Sequence, residues 1–164
     1  MDLKYSYRLL FIPETIGAIT WLCLNQDKIS NIKQGLVATC LGDAGHSTYK
    51  KTKNGNQIID KVVEKVLLES NTPYEIIDFF PYGSDERQFT SPGFELSIGS
   101  LMRTPYSRFP QYHTSEDNLD FVKPEFLEDS FNKYVQVIEL LEKEESINPN
   151  LTMDTNIQIG RAHV

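Results

Sequence analysis

Between Asn56 and Ser70 apolar side chains fall at Ile58, Ile59, Val62, Val63, Val66 and Leu67, with Asp60, Lys61, Glu64 and Lys65 on the opposite side. This three-and-four spacing predicts an amphipathic packing helix over residues 56–70. A longer helix is predicted from Pro124, at its first position, to about Glu144, with Leu127, Phe131, Tyr134, Ile138 and Leu141 on one stripe. Pro13 and Glu14 open another through about Asn25, because a first turn tolerates proline and favours negative charge. Ile16, Ile19 and Leu22 or Cys23 give it an apolar face, and a short helical piece follows around Asp27 to Lys33. Between the helices, residues 5–12, 35–41 and 74–79 are runs nearly continuous in apolar and aromatic residues, which predicts strands covered on both faces. Phe94, Leu96 and Ile98 alternate with Glu95, Ser97 and Gly99 and predict a fourth strand. The polar stretch from His46 to Lys53 reads as a short edge hairpin closed by Asn54-Gly55. Strands alternating with helices predict the α/β class.

Composition narrows the possibilities further. The chain has 164 residues, enough for one domain with a real core, and 40% hydrophobic content with nine Phe and eight Tyr argues for a globular protein. A net charge of −7 argues against non-specific nucleic-acid binding, which needs a surplus of Lys and Arg to neutralise phosphates. No 18-residue apolar run predicts a membrane span, and no signal peptide is read at the start. Cys23 and Cys40 read as small buried thiols rather than a disulfide, which predicts cytoplasmic residence. Residues 1–146 are expected to form part of one domain. Residues 147–158 are expected to be a linker or the start of a truncated segment. The last six, Ile159 to Val164, match the translation of a short-read sequencing adapter and are set aside together with His163.

The candidate chemistry gathers in the stretch Met102 to Phe121, where His113 lies among Pro, Tyr, Arg and carboxylates between a predicted strand and the longest helix. Asp43 follows a second strand between Gly42 and Ala44. Asp85, Glu86 and Arg87 follow a third, between aromatics and Gly/Pro breakers that suit a rigid loop. Glu14 follows the first. Ligands of α/β proteins gather beyond strand ends, so the fold could bring these groups to one rim. Each also has a plain structural reading: a capping or turning loop for His113, turn chemistry for Asp43, helix-terminal charge for Glu14 and a local ion pair for residues 85–87. His46 is read as a solvated loop residue.

Five motifs in order carry a resemblance: Phe11-Ile12-Pro13-Glu14-Thr15-Ile16-Gly17, Leu41-Gly42-Asp43, the run from Tyr82 to Phe94, Leu101-Met102-Arg103-Thr104-Pro105, and the run from Phe109 to Leu119. Across about residues 5–143 the chain resembles the carboxyl-terminal half of a bacterial aminopeptidase-like catalytic domain associated with polysaccharide biosynthesis, a branch of the zinc aminopeptidase and glutaminyl cyclase superfamily. The resemblance implies a phosphorylase/aminopeptidase-like three-layer α/β/α fold with a mostly parallel mixed sheet, incomplete at its N-terminal side. It implies zinc, with His113 and Asp43 as ligands and the remaining ligands upstream of Met1. It further implies Glu14 and Glu86 as catalytic carboxylates, Arg87 and Tyr112 as substrate-binding residues, and Asp85 and Asp117 in support behind the metal. Thr15 stands where many members of the superfamily carry a metal-binding glutamate, which favours one zinc over two. The implied substrate is a peptide or a small amide, and this chain alone is expected neither to hold zinc tightly nor to hydrolyse. The same Thr15 motivates a second reading, a catalytically degenerate peptidase fold that serves as a binding or assembly module. A third, that of a small interaction domain, requires Met1 to be a true start.

Overall fold

Four short strands, β1 (Gly35–Ala38), β2 (Ser47–Lys50), β3 (Tyr74–Ile77) and β4 (Ile98–Met102), form one sheet in the order β1-β4-β2-β3 in the computed structural model, which describes residues 3–143. β1 runs parallel to β4, and β2 runs parallel to β3; the two pairs meet antiparallel where Tyr49 faces Leu101. The sheet is therefore mixed. Helices α1 (Ile16–Leu24), α2 (Ile58–Glu69), α3 (Glu86–Phe89) and α4 (Pro124–Glu142) flank it, with a 3-10 segment at Gln26–Asn31.

Side chains alternate across a strand, so each strand serves two layers. Leu36, Tyr49, Ile76 and Leu101 point to the face covered by α2 and α4, where they meet Ile59, Val62, Val63, Val66, Leu67, Val137 and Leu141. Val37 and Ile98 point to the other face, against Ala18 and Leu22 of α1 and Phe89 of α3. This is the predicted three-layer α/β/α arrangement. Val62, Val63 and Leu67 are 0% exposed, and burial of such side chains contributes about 1.5–3 kcal/mol apiece. Asp60 starts α2 by accepting the Gln57 amide at 2.7 Å, and the same carboxylate takes the Tyr49 hydroxyl at 2.8 Å and the Thr52 amide at 2.8 Å. Ser70 and Asn71, the latter at φ 54°, stop the helix before Pro73.

Four sequence expectations are corrected. The stretch read as an edge hairpin contains β2, an internal strand whose four residues are all buried. Its polar residues mislead because their partners lie far along the chain. Residues 6–13 run without strand pairing, and Leu9 and Phe11 are 76% and 94% exposed, although their apolar run predicts a doubly covered strand. On α4 the buried line is Ser130, Lys133, Val137 and Leu141, while Leu127 and Phe131 stay exposed. Ser130 reaches the Leu41 carbonyl at 2.8 Å and Lys133 bonds Asp129, so polar side chains take the inner positions where the helix crosses a loop. Both cysteines are free, but Cys23 is exposed and Cys40 only partly covered. The segments predicted as a linker at 147–158 and as an adapter remnant at 159–164 lie outside the described residues.

Candidate functional site

Thr15 is a strained point of the backbone. Its φ of 62° and ψ of −67°, with the Ile16 amide donating to the Glu14 carbonyl at 2.7 Å, define a γ-turn of the rare, strained hand. A β-branched residue there costs about 1–3 kcal/mol and persists only where the surroundings impose it. The imposing group is Asp85, whose Oδ1 accepts the Thr15 amide at 2.6 Å. Burial raises the Asp85 pKa above its usual 3.8; the Thr15 bond opposes this, while the nearby charges of Glu14 and Glu86 add to it. Glu14 itself is exposed at the bend.

Glu86, one residue on, is 0% exposed and lies against Lys50, also 0% exposed. The Lys50 ammonium donates to Glu86 Oε1 at 2.6 Å, to the Tyr82 carbonyl at 2.6 Å and to the Tyr106 hydroxyl at 3.0 Å, and sits 4.0 Å from the Phe80 ring centre. A buried charge is tolerated when paired and fully bonded, and all three ammonium protons are used. Glu86 Oε2 has no protein partner, nor does the buried Nε of Arg87. Tyr106 completes the layer by donating to the Tyr82 carbonyl at 2.9 Å. Gly83, at φ 125°, leaves the room for it, since a Cβ there would collide with the phenol.

β1 and β4 run side by side in the same direction, and the loops beyond them carry the remaining residues. Cys40 sits at φ 49°, and its carbonyl accepts the Arg103 amide at 2.9 Å. Burial pushes its thiol pKa up, against a contact with the Thr39 hydroxyl; the negative charges of Asp43, Asp117 and Glu14 push it further. Three carboxylates from three separated loops are thus felt at one sulfur. Asp43 is buried, and its carboxylate is engaged by the Gly45 amide at 2.7 Å, the Thr104 amide at 3.2 Å and the Thr104 hydroxyl. His113 is exposed, at φ 58°, in a run of successive turns, with its ring stacked on Tyr112 at 3.9 Å between centres. Tyr112 has its pKa raised, first by burial and then by Glu14. Asp117 is exposed in the same run of turns.

The sequence-predicted residues therefore fall into two groups. Asp85 and Glu86 hold the Glu14 turn and the sheet, whereas the charges of Asp43, Asp117 and Glu14 all bear on Cys40. Lys50, Tyr106 and Cys40 are site residues that sequence reasoning missed. Lys50 stands first in a lysine-rich stretch that reads as solvent-facing, and Gly83 beside Tyr82 was the one local sign of a close approach. As for the implied zinc, no group of three or more His, Cys, Asp or Glu among the described residues could hold a metal ion. Asp43 spends its oxygens on local donors and His113 stacks outward, so these residues as placed do not fit a complete zinc site. Among the described residues no helix is long and apolar enough to cross a membrane.

The chain is 54% identical over 158 residues to a Clostridium acetobutylicum protein named for polysaccharide biosynthesis and an aminopeptidase-like domain, covering 96% of this chain and 36% of that protein. A crystal structure from Clostridium acetobutylicum, described as a peptidase by conjecture, superposes with a TM-score of 0.84 at 53% identity over 93% of this chain and 37% of the other. The chain thus spans little more than a third of these relatives. A zinc aminopeptidase from Bacillus subtilis shares the fold at a TM-score of 0.59 and 14% identity, over 77% of this chain and 32% of the other. The aminopeptidase of Aneurinibacillus sp. strain AM-1 does so at 0.60 and 19%, over 77% and 30%. The fold is aminopeptidase-like. The profile of a domain of unknown function, DUF4910, matches residues 1–144, and the chain belongs to that family.

Proposed function

We propose that this chain forms one wall of an aminopeptidase-like, zinc-dependent amide hydrolase site within a longer, cytoplasmic polysaccharide-biosynthesis protein, acting on a peptide or small amide. The observation that carries the reading is the strained turn at Thr15, held by Asp85, with the exposed Glu14 beside it. Strain kept in place by a dedicated hydrogen bond is characteristic of functional sites. In this reading Glu14 is the proton acceptor, His113 and Asp43 offer ligands for one zinc ion, and Arg87 and Tyr112 contact the substrate. Zinc would supply a polarised carbonyl and an acidified water.

One observation favours a second reading, a degenerate fold that binds without hydrolysing. The Asp43 carboxylate already receives three donors from the protein, as a structural carboxylate does. Zinc titration of this chain and of the longer Clostridium acetobutylicum relative separates the two. The hydrolase reading expects weak uptake here, stoichiometric uptake by the relative, and loss when the histidine matching His113 is changed to Ala. If the relative takes up no zinc, the binding-module reading replaces it.

A further inference from the structure

The hydrogen bonds of the Lys50 ammonium run to Glu86, Tyr82 and Tyr106 and to none of Glu14, Asp43, Tyr112 or His113, although Arg87 follows Glu86 directly in α3. The Lys50 and Glu86 side chains are both 0% exposed, on the face of the sheet that carries α3, and each belongs to a different piece of chain. Lys50 ends β2, the internal strand. Its three acceptors come from both ends of the segment between Tyr82 and Glu86 and from the loop after β4. That segment is therefore held to the sheet through one ammonium group. Asp85 is its penultimate residue. With the Glu86 side chain drawn to Lys50, the Asp85 side chain is left to meet the Thr15 amide at 2.6 Å. The path from the sheet to the Glu14 turn thus has two links, Lys50 to Glu86 and Asp85 to Thr15.

We infer that Lys50 is a positioning residue for the site: through Glu86 it fixes the Asp85 corner that imposes the γ-turn on Thr15 and so aims Glu14. Glu86 is then a strut between the sheet and the turn rather than a group that meets substrate. Its bond to Lys50 and its full burial are what a strut requires. The inference rests on the hydrolase reading only in treating Glu14 as the group that matters; the mechanical linkage stands without it.

The test uses the whole chain without metal, with amide exchange and chemical shifts followed by NMR. Two variants are needed, because Lys50→Met leaves the Glu86 carboxylate buried without its partner, a change costly enough to threaten folding, whereas Lys50→Met/Glu86→Leu removes both charges together. In both, the Thr15 amide is expected to exchange at least tenfold faster while the β2 and β4 amides of the double variant keep their protection. The Thr15 amide shift is expected to follow the Asp85 carboxylate as it titrates in the unchanged chain, through the bond between them, and to stop doing so in both variants. If Lys50 merely stabilises the fold, the double variant restores Thr15 along with everything else, and that result overturns the inference. Should the single variant not fold, the double variant decides alone. Zinc is absent throughout, so a failed zinc titration leaves this result standing, and the reverse also holds.

Discussion

The two faces of the sheet are built from similar elements and end in different states. On the α2/α4 face, Tyr49, Val62, Val63, Val66, Leu67 and Val137 are at most 2% exposed, and two of the polar groups that enter, Asp60 and the Tyr49 hydroxyl, bond each other. On the α1/α3 face the core is thinner. Ile16, Ile19 and Leu24 of α1 remain 67%, 45% and 76% exposed, and the arm before the helix shows Leu9 and Phe11 to solvent. That second face also carries the buried Lys50–Glu86 pair and the strained Thr15. Stability resides on one face, and the candidate chemistry is supported by the other. Scaffolds hold catalytic geometry in this way, with a rigid layer under a costly one.

The largest effect that could break this contrast comes from the closed face. Leu67→Ala should cost about 2–5 kcal/mol, read as a lower urea midpoint at unchanged slope, because a fully buried leucine leaves a cavity. A cost below 1 kcal/mol would show that this face is not the stabilising one.

A middle-sized effect sharpens the comparison at the rim. Asp129 is partly exposed and bonds Lys133 and Arg103; burial alone would raise its pKa, but these two cations outweigh it and lower the value below 3.8. A carboxyl with a depressed folded-state pKa stabilises above its unfolded value and loses that contribution as the pH falls through the folded one. Asp129→Asn should therefore lower stability at pH 7 by about 1 kcal/mol after screening, and the gap from the unchanged protein should close as the pH falls below about 4. A gap that stays constant from pH 7 to pH 2 would refute this.

The smallest effect comes from the open face. Phe11→Ser, at a side chain 94% exposed, should change stability by no more than about 0.5 kcal/mol. A loss above 2 kcal/mol would mean that the arm packs in solution.

Which parts were legible follows the same division. α2 was readable because its partners lie on both sides of a single periodic stripe, and Pro124 marked the start of α4. β2 was not, since Ser47, Thr48 and Lys50 look solvated until Glu86 and the strands on either side are placed beside them. The inner line of α4 was shifted for a related reason, because Ser130 and Lys133 are buried through bonds that periodicity does not register. Candidate residues such as Asp43 and Asp85 stood out in the sequence, but Lys50, Tyr106 and Cys40 did not, and neither did any of their partners: nothing local says that Asp85 holds Thr15 or that Asp43 closes on Thr104. Hydrogen bonds between distant loops leave no pattern in a single sequence.

The strand order also bears on how the chain emerges from the ribosome. β1 finds its one ladder partner among the described residues in β4, where Val37 and Ser100 pair across 63 positions. β2, α2 and β3, by contrast, are contiguous and can assemble as soon as Ile77 is available. Until Met102 is synthesised, β1 and the inner edge of β2 carry unsatisfied amides and carbonyls, the kind of surface on which nascent chains associate. The late arrival of β4 joins the two halves of the sheet and removes both edges in a single step.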